Sequence, residues 1–356
     1  VSASQAAAEW LRQGQACESQ GTPESLAHAV ACYDRALSLL RHLAPTADPP
    51  LLRDLAVAWM NRGNALQKIA STAALADAVT AYDEAISLLE KLPVAENPAI
   101  GNSLGAAWLN RGHALQPRGP SAHADALRSY RTAIAVLQSL PPAADRSIPI
   151  NLAAAWMNLA NALLSPPAPA CTEARTAAQT ALSLVAPTEQ TDSVAAEVGL
   201  KSRRVLCDAI GHLLVIAGSD ALTVDTLAHE AADAADDGLA LVRHWETRGV
   251  RDFRPLAARL YYFGAQLCLI HQPHFLAEFL LEPLDPAHSP GALTDEPALH
   301  TFAAEFLAHA LQTLRARPLV GLTHAEQNRL LETSRDLQAA AHRLAELRPP
   351  HSRLPF

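Results

Sequence analysis

AWMNRGNALQK, residues 58–68, returns almost unchanged as AWLNRGHALQ at 107–116 and as AWMNLANALL at 155–164. Trp59, Trp108 and Trp156 keep spacings of 49 and 48 residues, and Trp10 stands 49 residues before the first of them. A fixed period of this size marks a stacked-repeat architecture, in which one unit cannot bury its apolar face alone and packs on its neighbour. The chain is 49% hydrophobic but only 5% aromatic, so its core is built mainly from Leu and Ala. Helix breakers gather between the periodic segments and β-branched runs of strand length are scarce, which makes the class all-α.

Each period holds two helical patterns. Asp48-Pro49 and Asn97-Pro98 pair a capping side chain with a proline of preset φ, the start of a first helix that in the second unit runs to about Lys68. Thr22-Pro23-Glu24 opens a second helix in the same way, and Ala73 to Leu92 gives its clearest body. Pro45, Pro93, Pro141 and Pro187 close the second helices, because proline supplies no amide hydrogen and crowds the preceding turn. Along the second helices Ala29/Tyr33/Ala36, Ala78/Tyr82/Ala85, Ala126/Tyr130/Ala133 and Ala174/Ala178/Ala181 share one face. Four residues after each tryptophan stand Gly14, Gly63, Gly112 and Ala160. Glycine inside a helix costs about 1 kcal/mol against alanine, so its recurrence points to close contact with the partner helix.

Trp, Asn two later, Gly four later, then Ala, Tyr, Ala and a closing Pro resembles the tetratricopeptide repeat over about residues 8 to 187. The period departs from the family's usual length of about 34 residues. The site three after Trp, usually leucine, is Gln13, Arg62, Arg111 and then Leu159; these arginines are expected to lay their stems on apolar surface and reach an edge. The resemblance implies a right-handed α-solenoid of antiparallel helix pairs with a concave groove. Four such repeats are expected over 1–190, degenerate hairpins over 191–320, and a capping helix over 321–348 opened by the box Thr323-x-x-Glu326 and carrying Leu330, Leu337 and Leu344. Cys207-x-x-Ile210-Gly211-x-x-Leu214 and Leu260-x-x-Phe263-Gly264-x-x-Leu267 read as degenerate first helices, with 224–245 and 297–317 as partners and 283–296 as a loop.

Charge and cysteine usage narrow the partners. A net charge of −8 argues against nucleic acid, whose backbone demands a positive surface. No apolar run approaches the roughly 20 residues of a membrane span, so the expectation is a cytoplasmic protein with no membrane partner. The five cysteines form no CxxC pair and read as reduced thiols; Cys17 and Cys32 take register positions held elsewhere by Leu66 and Ala81. No cofactor fingerprint and no nucleophile-base ordering appears.

The strongest candidate site is a polar ladder on the first helices: Asn61, Asn110 and Asn158 two after Trp, and Gln15, Asn64, His113 and Asn161 five after it. An amide donates and accepts at once, so a row of amides can clamp an extended peptide backbone without reading its sequence. Beside it run Leu11, Met60, Leu109 and Met157, where flexible thioethers suit an adaptable surface. In the family these sites face the concave groove, and the resemblance implies peptide binding there. The competing reading has the asparagines helping repeats to pack. Cys268-x-x-His271-x-x-His274 offers metal-type ligands, but Pro273 interrupts the helix between the histidines and no fourth ligand is evident, so no metal is expected. Glu230, Asp233 and Asp237 form an acidic face whose ordinary fate is solvation. The function expected is therefore a protein-interaction scaffold for a peptide or partner helix, with no catalytic residue. The alternative is a ligand, metal or catalytic pocket in the aromatic-rich C-terminal half, around Tyr261, Tyr262, Phe263, His271 and His274.

Overall fold

The computed structural model describes residues 3–43, 48–94, 96–166, 168–217, 221–248 and 324–346, with scattered positions between Phe253 and Gln312. Every regular element among them is helical. The chain forms two compact units, Val1–Pro169 and Ala170–Phe356. The division falls within the stretch that the repeat register assigns to a fourth pair.

The first unit holds α1 (Ala3–Gln20), α2 (Pro23–Leu43), α3 (Pro49–Ile69), α4 (Thr72–Leu89), α5 (Pro98–Leu115), α6 (Pro120–Gln138) and α7 (Ser147–Leu163). Consecutive helices pack pairwise, α1 on α2, α3 on α4 and α5 on α6, and each second helix also packs on the next first helix. The start signals work as the sequence suggests, with one exception. Thr22 Oγ1 accepts from the Ser25 amide at 3.2 Å and Asn97 Oδ1 from Ala99 at 3.1 Å; Ser71, which the sequence reading did not single out, caps α4 with its Oγ accepting from Ala74 at 3.2 Å. Asp48 makes no side-chain cap bond, so at α3 the proline sets the start without it.

The recurrent glycines have one cause. A β-carbon built on Gly14, Gly63 or Gly112 would lie 2.5, 2.7 or 2.6 Å from Cε1 of Tyr33, Tyr82 or Tyr130. Each ring lies against the bare backbone of its partner helix, and all three tyrosines are fully buried. Their hydroxyls reach the far end of the first helix. Tyr33 donates to Glu18 Oε2 at 2.8 Å and Tyr130 to Gln116 Oε1 at 3.1 Å; Tyr82 stands 2.8 Å from the side-chain oxygens of Asn64 and Gln67. Glu18, Gln67 and Gln116 each follow their tryptophan by eight residues. The fourth register changes all three parts together, to Ala160, Ala178 and Leu164.

Between pairs the core is aliphatic. Ala56, Ala85, Ile86, Leu89, Ile100 and Leu104 form one cluster and Ala7, Leu37, Leu40 and Leu55 another, with Trp59 packed against both.

The second unit contains α8 (Cys171–Val185), α9 (Ser193–Ala217), α10 (Ala221–Glu246) and α11 (His324–Glu346). α9 packs on α8 and on α10. Its centre is a buried two-pronged ion pair, Arg203 to Glu189, with both N–O distances 2.8 Å. Gly199 and Gly238 leave it room: a β-carbon on the first would meet Glu189 Oε2 at 2.4 Å, and one on the second would meet Leu260 Cδ1 at 2.4 Å and Arg203 Cδ at 3.2 Å. The fifth tryptophan, Trp245, donates to the Glu189 carbonyl at 2.8 Å and so pins the turn after α8. In α11 Leu337 is fully buried. Thr323 and the side chains of Leu330 and Leu344 lie outside the described residues, as does most of the second degenerate hairpin with its partner and loop. No described helix is long and apolar enough to cross a membrane.

Two outcomes follow from the tyrosine seats. Gly63→Ala is expected to destabilise by about 1–2 kcal/mol, the overpacking cost less the gain in helix propensity. In a Tyr82→Ala background the same change becomes neutral or stabilising, a reversal that a double-mutant cycle by urea denaturation reads directly. Burial pushes the phenols of Tyr33, Tyr82 and Tyr130 well above their ordinary range, with Glu18 adding to the shift of the first two. The unfolded chain ionises first, so the stability these groups contribute is whole below about pH 10 and is lost above it, by up to about 4 kcal/mol per pH unit for three groups. Denaturation midpoints measured across that range check the slope.

Candidate functional site

The ladder is carried by one helix of each repeat in the first unit: Gln15 on α1; Met60, Asn61 and Asn64 on α3; Leu109, Asn110 and His113 on α5; Met157, Asn158 and Asn161 on α7. Gln15 and His113 are exposed, and the five asparagines and Met60 are half-buried. Leu109 and Met157 are each only 7% exposed, and Met60 packs against the cluster around Ile86 and Leu104. The apolar rail of the ladder is thus engaged in packing between helices, which leaves the polar rail as its open part.

Within the polar rail, neighbouring repeats touch. Asn110 Nδ2 donates to Asn64 Oδ1 at 3.1 Å across the α3–α5 junction, and Gln67 Nε2 lies 2.5 Å from His113 Nδ1. Asn64 Oδ1 also meets the Tyr82 hydroxyl, so both of its lone pairs are taken while its amide hydrogens are directed elsewhere. One turn earlier, Asn61 Nδ2 is a buried donor with no hydrogen-bond partner among the described residues. By register its counterpart would be Gln15, the position equivalent to Asn64, but that side chain is out in solvent.

Charged residues fasten the same junctions from either side. Arg62 Nε donates to Asp34 Oδ1 at 2.7 Å and Arg111 Nε to Asp83 Oδ1 at 2.6 Å. The two guanidinium groups lie 5.7 and 5.6 Å from the ring centres of Trp59 and Trp108. The edge that the arginine stems reach is therefore a carboxylate of the preceding pair. At the next junction both partners are exchanged together, for Leu159, 2% exposed, and Arg131. Lys68 Nζ contacts Glu18 Oε1 at 2.7 Å. Asn102, itself 9% exposed, donates to Ser147 Oγ at 2.7 Å and accepts from Asn151 Nδ2 at 2.9 Å, tying α5 to the start of α7.

The remaining sequence candidates fare differently. Glu230 is bound by Arg175 and by Gln179 Nε2, the latter at 2.5 Å, so the acidic face of α10 is spent at this point on α8 rather than left to solvent. Asp233 and Asp237 are exposed. Phe263 is half-buried with its ring edge 3.3 Å from where a β-carbon of Gly211 would sit. Tyr261, Tyr262, Cys268, His271 and His274 lie outside the described residues, and no group of three metal-capable side chains occurs within them.

Sequence reading missed the hydroxyl partners at Glu18, Gln67 and Gln116 and the aspartates after Tyr33 and Tyr82. Their signal was present as register, eight residues after Trp and one after Tyr, but it shows only once the tyrosine and arginine are known to reach that far.

Asn64→Ala removes an acceptor shared by Tyr82 and Asn110 and is expected to cost about 1–2 kcal/mol, whereas Gln15→Ala should stay within about 0.5 kcal/mol. Chemical denaturation of the two variants checks the contrast. No protein-family model matches the chain, and no curated protein matches it.

Proposed function

We propose that the first unit is a tetratricopeptide-like, right-handed solenoid segment that serves as a protein-interaction scaffold, holding an extended peptide or a partner helix against the first helices of its repeats. The observation that carries this reading is the amide contact between the ladder positions of neighbouring repeats. Asn64 and Asn110 meet at 3.1 Å, so amides 46 residues apart in sequence form one surface feature instead of isolated side chains. Each keeps bonding capacity after that contact: Asn64 has its two amide hydrogens, Asn110 its carbonyl oxygen and a second hydrogen. The half-buried setting supports this use, because an amide held by its neighbours loses little conformational freedom on engaging a ligand. Recognition on these terms is additive, made of main-chain contacts and little sequence reading. The reducing interior expected from the cysteine pattern suits such a scaffold, and a basic nucleic-acid surface is not part of it.

The test places a photo-reactive amino acid at Gln15 or His113 on the rail, and at Thr80 or Ser38 on the outer helices. Cross-linking in native lysate is expected to trap a polypeptide from the rail positions only. Cross-links from the outer positions alone would overturn the reading. Asn64→Asp keeps the acceptor oxygen and removes both donors, so it is expected to weaken capture by about tenfold, the worth of one to two hydrogen bonds.

A further inference from the structure

Tyr82, Gln67, Asn64, Asn110 and His113 form one chain of polar contacts across α3, α4 and α5, and the number of hydrogens in it decides which way each amide faces. The Tyr82 oxygen lies 2.8 Å from Asn64 Oδ1 and 2.8 Å from Gln67 Oε1, yet a phenol has a single hydrogen to give. Two acceptors facing one donor leave a buried lone pair unmatched, which is unfavourable. The phenol oxygen, in contrast, has unused capacity to accept. Turning the Gln67 amide end for end relieves the conflict without moving a heavy-atom position, because amide oxygen and nitrogen occupy equivalent places.

We infer that the chain runs in one direction, from His113 Nδ1–H to Gln67 Oε1, from Gln67 Nε2–H to the Tyr82 oxygen, and from Tyr82 O–H to Asn64 Oδ1, with Asn110 Nδ2–H filling the second lone pair. Every group between His113 and Asn64 is then matched. Tyr82, Gln67 and His113 are positioning residues: they hold Asn64 with its oxygen inward and its NH2 group toward the open face of the ladder. This deepens the scaffold reading and rests on it for its use, since an NH2 fixed outward selects carbonyl or carboxylate oxygens of the bound segment over its amide hydrogens. The middle repeat is singled out. Tyr33 and Tyr130 bond to Glu18 and Gln116, so among the described residues Asn64 is the ladder amide that a tyrosine fixes in this way.

The inference is tested without any ligand, on the ring of His113. Long-range proton–nitrogen NMR spectra of the 15N-labelled protein, recorded above about pH 8 where an ordinary imidazole is neutral, report which ring nitrogen carries the hydrogen. The expected result is a protonated Nδ1 and a bare Nε2. Tyr82→Phe removes the group that turns Gln67, and its spectrum is expected to lose this preference. A bare Nδ1 in the unaltered protein would overturn the inference, because the chain would then run the opposite way and Asn64 would present its oxygen. A protonated Nδ1 that survives Tyr82→Phe would overturn the role of the phenol. Neither outcome touches the cross-linking result, so failure of the scaffold reading and failure of this one are told apart.

Discussion

A tyrosine ring pressed onto a helix that has no side chain beneath it is the contact on which the rest of the first unit depends. It requires a glycine at one register position, a ring at another and a polar partner for the hydroxyl one helical turn beyond the glycine, and these recur as Gly14/Tyr33/Glu18, Gly63/Tyr82/Gln67 and Gly112/Tyr130/Gln116. Glycine in a helix is unfavourable alone and a buried hydroxyl is unfavourable alone; together each removes the other's cost. The joint change to Ala160, Ala178 and Leu164 is what such coupling requires, since keeping any one part without the others would leave a hole, a clash or an unpaired polar group.

Once the pairs are formed, the junctions between them are fastened by bonds that would be weak if isolated. Arg62 to Asp34 and Arg111 to Asp83 are half-exposed ion pairs, of the sort that contributes under about 1 kcal/mol, but each arginine also lies over a tryptophan. The amide contacts through Asn64, Asn110, Asn102 and Asn151 add a second row. These asparagines therefore join repeats: Asn110 and Asn151 donate from Nδ2 to the side-chain oxygens of Asn64 and Asn102. The second unit is organised by different means, around the buried pair of Arg203 with Glu189 and the bond from Trp245.

Much of this was legible in the sequence. The tryptophan period, the prolines and the alternation of small residues marked the helices of the first unit to within a few residues, because all of these act locally. The glycine-tyrosine contact could be anticipated as close packing, though not its identity. The partners of the arginines and tyrosines were hidden for a physical reason: they depend on how far a long side chain reaches across a junction, which register alone does not give. The packing of Met60, Leu109 and Met157 between helices was hidden for a related reason. A position beside a groove and a position beneath it differ by a rotation of the helix that amphipathic pattern does not fix. Gly199 and Gly238 drew no notice because they stand outside any repeat.

The central claim is that the first unit is one stitched body, instead of a row of pairs that open separately. Native-state hydrogen exchange tests it most directly. If the claim holds, slow amides of α3, α4, α5 and α6 share a single opening free energy that denaturant lowers together. Separate opening of the α3–α4 pair, well below that of α5–α6 and insensitive to Asn110→Ala, would contradict it.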